Sequence, residues 1–357
     1  MMLPGATPLR VAVVMPCYRV AAQVLGVISR IGPEVALIYV VDDACPEGSG
    51  DLVRQACDDP RVRVVMRAEN GGVGAAMVTG YEAALADGAD IVVKIDGDGQ
   101  MDPALIGHFV RPLAAGDADY AKGNRFYDIE MLQGMPKLRL VGNAALSLVC
   151  KIASGYWNLM DPTNGYTAIH RTALASLPLD KLDRGYFFES DMLFRLYTLR
   201  AVVLDVPMRA RYGDESSSLR VGPILRQFPP KYVGRTLKRV FYAYLLRDFN
   251  AGSLQLALGA IALLGGSAYG IARWASSAHL GIPATPGEVM LAALPVLIGV
   301  ELLIGALNFD VQNVPREPLS RHAERHAAHA GELPAEGPSM QRAPRSVATS
   351  AQWPPRG

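Results

Sequence analysis

Two carboxylates spaced i and i+2, Asp96 and Asp98, stand inside Ile95-Asp96-Gly97-Asp98-Gly99-Gln100. The stretch before them, Ala89 to Lys94, is largely apolar and β-branched and reads as a buried strand. Side chains two apart on extended chain point the same way, so both carboxylates can face one small volume. Like charges that close repel unless a cation lies between them. Gly97 and Gly99 let the backbone approach a bulky ligand closely. These features suit a divalent metal held against a diphosphate. The structural alternative is an acidic turn, since Asp-Gly pairs are common turn formers. A second acidic pair, Asp42-Asp43, ends the apolar run Val35 to Val41.

The elements that would carry these residues alternate. Arg10 to Met15 reads as a strand ended by Pro16, and Val20 to Arg30 has helical spacing. Val35 to Val41 is a second strand, Gly50 to Ala56 a helix, and Val62 to Met66 a third strand. Gly74 to Ala86 reads as a helix opened by Asn70-Gly71-Gly72, and the strand ending at Asp96 follows. Strand and helix alternating through short links mean an α/β domain with a mostly parallel sheet. Both acidic pairs fall at strand C-termini, where open α/β sheets bind ligands. Asp42, Asp43, Asp96 and Asp98 are therefore expected to line one cleft. No G-x-G-x-x-G follows the first strand, and neither a P-loop nor a G-x-S-x-G motif is present.

The chain has 357 residues, half of them hydrophobic, with a net charge of +1. That balance argues against a nucleic-acid binder acting by bulk charge. The four cysteines (Cys17, Cys45, Cys57, Cys150) lack zinc-site or C-x-x-C spacing and read as reduced thiols. Met1 to Leu9 is short, without a basic start or a long apolar core, so no signal peptide is expected. Arg220 to Arg247 is basic and aromatic. Its Leu225, Phe228, Tyr232, Leu237, Phe241 and Tyr244 suit one or two helices lying in a headgroup layer. Leu254–Ala272 carries no charge and Val289–Leu307 only Glu301. Each is close to the roughly 20 residues that cross a bilayer as a helix. Basic residues before the first run and after the second put both ends in the cytoplasm. From Pro315 onward the composition is that of a disordered tail.

With these pieces placed, the chain resembles family-two glycosyltransferases of the GT-A fold, and within them the dolichol-phosphate mannose synthase and polyprenyl-phosphate glycosyltransferase group. The resemblance covers residues 10 to about 312. It rests on Met15-Pro-Cys-Tyr18, Val41-Asp-Asp43, Asn70-Gly-Gly-Val-Gly74, Asp96-Gly-Asp-Gly-Gln100, Gly123-Asn-Arg125, Asp161-Pro-Thr-Asn-Gly-Tyr166, Val206-Pro-Met208 and Arg247-Asp-Phe249. It implies an N-terminal tail (1–9), a Rossmann-like GT-A catalytic domain (10–219), basic amphipathic juxtamembrane helices (220–250), two transmembrane helices (251–312) and a disordered tail (313–357). The expected location is the inner cell membrane, multi-pass, with the catalytic domain cytoplasmic.

The implied activity is inverting transfer of one sugar from a nucleotide-sugar to a polyprenyl phosphate, assisted by Mg²⁺ or Mn²⁺. Pro16 and Tyr18 would shape the base pocket, and Asp42 or Asp43 would hydrogen-bond the base or ribose. Asn70 to Gly74, Gly72 included, would wrap the nucleotide, with Gly97 close to it. Asp96, Asp98 and Gln100 would hold the metal. Arg125 and Arg139, assisted by Asn143, would bring the two anions together, and Arg211 would reach the donor diphosphate. Asp161 would hydrogen-bond a sugar hydroxyl or stabilise its loop. Glu189 or Asp191 would face the acceptor or cap a helix. Homo-oligomers through the spans fit the family too. The chain departs from the family pattern in having Tyr18-Arg19-Val20 where Tyr-Asn-Glu is common. It also has Gly213-Asp-Glu-Ser-Ser-Ser218 where the family has Gly-x-Ser-Lys. A same-fold enzyme extending a lipid-linked glycan at a hydroxyl is the alternative. It would need a carboxylate base, for which Asp191 is the candidate. A non-enzymatic scaffold would have no use for the charged cleft.

Overall fold

The computed structural model describes residues 9–127, 137–208 and 221–321, with the side chains of 137–140 and 221–225 outside the description. In chain order come β1 (Val11–Cys17), α1 (Val24–Ile28), β2 (Val35–Asp42), α2 (Ser49–Ala56), β3 (Val62–Met66), α3 (Val73–Ala86) and β4 (Ile91–Lys94). Then follow α4 (Ile106–Ala114), β5 (Tyr120–Asn124), α5 (Lys137–Ser154), β6 (Thr167–His170), α6 (Arg171–Ser176), α7 (Phe188–Leu199) and β7 (Val203–Pro207). The strands make one seven-stranded sheet in the order β3-β2-β1-β4-β6-β5-β7. It is parallel except at β6, which runs against both β4 and β5. This is the mostly parallel GT-A-type domain expected.

Successive strand residues feed opposite faces, and both faces are covered. Val14, Tyr39 and Val41 pack under α3, α6 and α7 through Met77, Leu174 and Leu193. Val13, Ile38 and Val40 pack under α1, α2 and α4 through Val27, Val53 and Phe109. Burial on both sides explains why these strands read as continuous apolar runs rather than alternating ones. β1 lies between β2 and β4, so the carboxyl ends of all three converge where the strand order reverses.

Past the sheet, the basic segment forms a single helix, α8 (Val221–Val240), which widens into a π-helical stretch at Phe241–Leu246. Two long helices follow, α9 (Ala251–Leu280) and α10 (Pro286–Gln312), both long and apolar enough to cross a membrane. They run beyond the apolar cores that hydropathy marks because local sequence caps them well outside. Asn250 with Ser253, and Thr285 with Glu288, form reciprocal capping boxes, and Gly281 at φ 67° ends α9. The two helices pack closely: a Cβ on Gly299 would come within 2.6 Å of the Leu263 backbone nitrogen.

One carboxylate ties these helices to the sheet domain. Asp310, in the last turn of α10, accepts from Arg239 at 2.6 and 3.0 Å, from Trp157 Nε1 at 2.8 Å and from Tyr244 Oη at 2.5 Å. The chain beyond α10 does not leave the domain at residue 313, as composition suggested. Asp119 accepts from the Leu319 and Ser320 amides, Arg200 donates to Asn313, and Arg321 pairs with Asp117. Residues 313–321 therefore pack on the domain, and 322–357 lie outside the described residues. Arg239 and Asp310 are both buried, so removing one partner strands the other charge. Asp310→Asn is expected to lower the unfolding free energy by about 3 kcal/mol, measured by chemical denaturation in detergent. A loss below about 0.5 kcal/mol, the size of an exposed pair, would count against this role.

Candidate active site

The two acidic pairs meet across the end of β1. The buried Cys17 thiol there is pushed up by its burial and by the Asp42 and Asp96 carboxylates on either side. Within each pair, however, the two residues do different work. Asp42 is fully buried and accepts from the Cys45 and Gly50 amides at 2.7 and 2.6 Å, pinning the entry to α2. Asp43 accepts from Arg67 at 2.7 Å and from the Gly71 and Gly72 amides at 3.0 and 2.7 Å. It thereby sets the Gly-rich loop at the start of α3. Asn70 is exposed on that loop. Gly72 sits at φ 88°, where a side chain would be strained and a Cβ would lie 2.7 Å from the Arg184 carbonyl oxygen. Asp42 and Asp43, one of which was expected at the base or ribose, both accept from backbone amides that shape the pocket, and Asp43 also from Arg67. Beside them Pro16 is partly buried, and the Tyr18 ring is 43% exposed under the Arg19 guanidinium.

At the end of β4 the couplet rests on a buried lysine. Lys94 Nζ lies 2.8 Å from Asp96 Oδ1 and 3.4 Å from Glu189, and donates to the Gly165 carbonyl at 3.2 Å. Burial alone would lower its proton affinity. Asp96 and Glu189 outweigh that and hold the ammonium charged. Asp96 remains 31% exposed, and Asp98 is partly exposed with one oxygen accepting from the Gln100 amide at 3.0 Å. Gln100 is exposed. Gly97 is buried, and its missing side chain leaves room for Val20 and Cys17 rather than for a ligand.

The segment from Asp161 to Gly165 joins this couplet to β5. A Cβ on Gly165 would stand 2.7 Å from Lys94 Nζ and 3.2 Å from Asp96 Oδ2, so only glycine leaves that carboxylate clear. Asp161 is fully buried and grips Arg125 in a fork, at 2.7 Å from Nε and 3.1 Å from Nη2. A second buried lysine, Lys122, donates to the Asn164 carbonyl. Burial, opposed by Glu189 and Asp161, brings it down to about 8. Asp161 is therefore a positioning group for Arg125 and not a free acceptor for a sugar hydroxyl.

α7 separates the two carboxylates that the sequence left equivalent. Glu189 reaches Lys94, whereas Asp191 is fully buried between Arg195 at 3.0 Å and Arg235 at 2.5 Å. Asp191 also accepts from the Asp183 amide. It joins α7 to α8, so of the two carboxylates that were to face the acceptor or cap the helix, Glu189 is the one that reaches the couplet. Arg139 lies in α5 with its side chain undescribed, Asn143 lies one turn further on, and Arg211 falls outside the described residues. Sequence reading missed Lys94 and Lys122. The signal was there: a lysine two residues before Asp96 in an otherwise apolar strand points the same way as that aspartate.

Among the described residues no cluster of three or more His, Cys, Asp or Glu side chains is placed to hold a metal. Two partly exposed carboxylates two residues apart still fit Mg²⁺ or Mn²⁺. Such ions take one or two protein carboxylates and fill their shell with phosphate and water oxygens.

Lys122 binds its proton less tightly folded than unfolded, where 10.5 is its ordinary value. Its neutral form therefore adds stability that is full above pH 10.5 and is lost as pH falls towards 8, at up to about 1.4 kcal/mol per pH unit. Lys122→Met should flatten that slope in denaturant titrations at pH 8 and 10; parallel slopes would refute the assignment. Asp191→Asn should cost about 3 kcal/mol in unfolding free energy, with activity falling only as the folded fraction falls. Full stability with abolished turnover would restore Asp191 as a base.

The glycosyl transferase family 2 model matches residues 12–177. Undecaprenyl-phosphate mannosyltransferase of Micrococcus luteus is 32% identical over 204 residues, 56% of this chain and 83% of the relative. Polyprenol monophosphomannose synthase of Mycolicibacterium smegmatis is 31% identical over 224 residues, 61% of this chain and 83% of the relative. UDP-N-acetylglucosamine–dolichyl-phosphate N-acetylglucosaminyltransferase of Methanococcus voltae is 24% identical over 217 residues, 57% of this chain and 86% of the relative. The converging strand ends, the acidic couplet and these likenesses lead to one conclusion: the chain belongs to glycosyltransferase family 2, within its polyprenyl-phosphate glycosyltransferase group.

Proposed function

We propose that the protein moves one sugar, with inversion, from a nucleotide-sugar to a polyprenyl phosphate at a membrane surface. The observation that carries this reading is the Asp96–Asp98 couplet and the Asp161-held Arg125, joined through Gly165 on a domain fastened to two long apolar helices. The names of the relatives supply the substrate class. α9 and α10 cross the bilayer, and the basic residues of α8 and of 316–321 keep the catalytic domain on the cytoplasmic side.

Asp96 and Asp98, with Gln100 beside them, would hold Mg²⁺ or Mn²⁺, which when bound offsets charge on a diphosphate leaving group. Lys94 fixes one oxygen of Asp96 from below while the carboxylate stays partly open to solvent. The loop fixed by Asp43 lays its backbone along the nucleotide, and the exposed Tyr18 ring offers the base a flat face. Arg125 arrives oriented, since Asp161 has already set its fork, and compensates the acceptor phosphate. A phosphate oxygen is ionised at neutral pH and needs no strong base. The enclosure of Asp191 by two arginines favours this acceptor over a hydroxyl.

The test is a panel of labelled UDP-, GDP- and dTDP-sugars incubated with the full-length protein, undecaprenyl phosphate and Mn²⁺. One donor should yield a labelled lipid. Asp98→Ala should lower turnover by at least about a hundredfold without moving the unfolding midpoint. No labelled lipid from any donor would overturn the proposal.

A further inference from the structure

A cavity of about 350 Å³ opens on the side of the domain away from the cleft. Its walls come from the C-terminal end of α7, the π-helical stretch after α8, and the residues flanking α9 and α10. The volume is in the range of pockets that take small ligands. α7 sets the separation: Glu189 in its first turn faces the couplet, and Arg200 follows its last residue. A helix of 12 residues spans about 18 Å. This cavity is thus not part of the sugar-transfer site.

Three guanidinium groups face it. Arg239 is neutralised by Asp310. Arg200 and Arg247 are not balanced in this way: Arg200 donates to the carbonyl and side-chain amide oxygens of Asn313, and Arg247 to the Thr198 carbonyl. The wall's carboxylate, Asp248, accepts from the Asn250 amide and leaves a local excess of positive charge. Arg200 also holds φ at 64°, a conformation that glycine would adopt at less cost.

Position and lining then select the ligand. Arg247 stands four residues before α9 and Asn313 directly after α10, so the cavity lies at the depth where both helices leave the hydrocarbon. Its rim carries Tyr242 and Leu246, the latter 65% exposed. A site whose Arg200 and Arg247 charges face only neutral acceptors, above an apolar lip at headgroup depth, matches a phosphodiester that carries acyl chains.

We propose that this cavity is a headgroup site for an anionic glycerophospholipid, engaged by Arg200 and Arg247 and separate from the polyprenyl-phosphate acceptor site. The inference rests on reading α9 and α10 as membrane spans, but not on any turnover assay.

The test is native mass spectrometry of the full-length protein in mild detergent, titrated with phosphatidylglycerol, phosphatidylcholine, undecaprenyl phosphate or free glycerol phosphate. Wild type should retain one phosphatidylglycerol at least about tenfold more tightly than phosphatidylcholine. Arg200→Gln/Arg247→Gln should erase that preference, the Arg200→Lys/Arg247→Lys pair should keep most of it, and Lys238→Gln on exposed α8 surface should not change it. Unfolding midpoints of each variant identify any that fail to fold, and Arg247→Gln alone, at an exposed position, serves if the double variant does. Equal retention of the two phospholipids, or unchanged retention by the folded glutamine variants, would overturn the proposal. Displacement by micromolar free glycerol phosphate would overturn it in favour of a small-anion site. Preferential uptake of undecaprenyl phosphate would overturn it in favour of a second acceptor site. If the span reading alone is wrong, the protein will stay monodisperse without detergent, which separates the two failures.

Discussion

A lysine ammonium enclosed at the centre of the sheet sets the terms for everything built above it. Lys94 is almost wholly removed from water, and a lone charge in that position would lose its proton. It stays ionised because Asp96 and Glu189 share it. That sharing has structural consequences. Asp96 is held at one edge by a fixed partner, so its remaining face is presented at a fixed angle. Glu189 must come from α7 to complete the pair, so α7 is registered against β4. Gly165 must stay bare to let the ammonium and the carboxylate meet. Three segments far apart in sequence are thereby locked to one atom.

The same logic of placed counter-charges recurs through the domain. Asp161 holds Arg125, Asp43 holds Arg67 and the Gly-rich loop, and Asp191 holds Arg195 and Arg235. Each acid is nearly or fully buried and satisfied by more than one donor, which is the condition under which a buried charge is tolerated. Asp96 and Asp98, by contrast, remain partly open to solvent and stand together at the end of β4. Division of labour among the aspartates is what separates scaffold from cleft.

Much of the sheet was legible from alternating strand and helix runs, because strands buried on both faces leave unbroken apolar stretches such as Val35 to Val41. β6 was not legible: four residues after an irregular loop carry too little pattern to reveal a strand, still less its reversed direction. The convergence of the acidic pairs followed from strand ends alone, but the roles within each pair did not. Asp42 and Asp43 are adjacent on the chain and serve different loops. Glu189 and Asp191 lie about 200° apart around a helix, so only one can reach the cleft, and nothing local says which. Lys94 was absorbed into its strand because composition counts a lysine as an interruption, whereas its meaning came from a partner on α7. Residues 313–321 read as tail because their contacts are backbone amides captured by Asp119, which composition cannot register.

Those captured amides change how the enzyme domain hangs from its helices. A body joined to a membrane hairpin by one strand of chain can swivel about that strand. Here the chain enters the hairpin beside Arg247 and returns to the start of β5, where Asp117 and Asp119 hold it. Both attachments gather at the end of α7, where Arg247 donates to the Thr198 carbonyl and Arg200 to Asn313, so the entering and returning chains are fixed to one corner of the domain. The sheet domain and the two long helices are thereby joined through two passages of the chain rather than one.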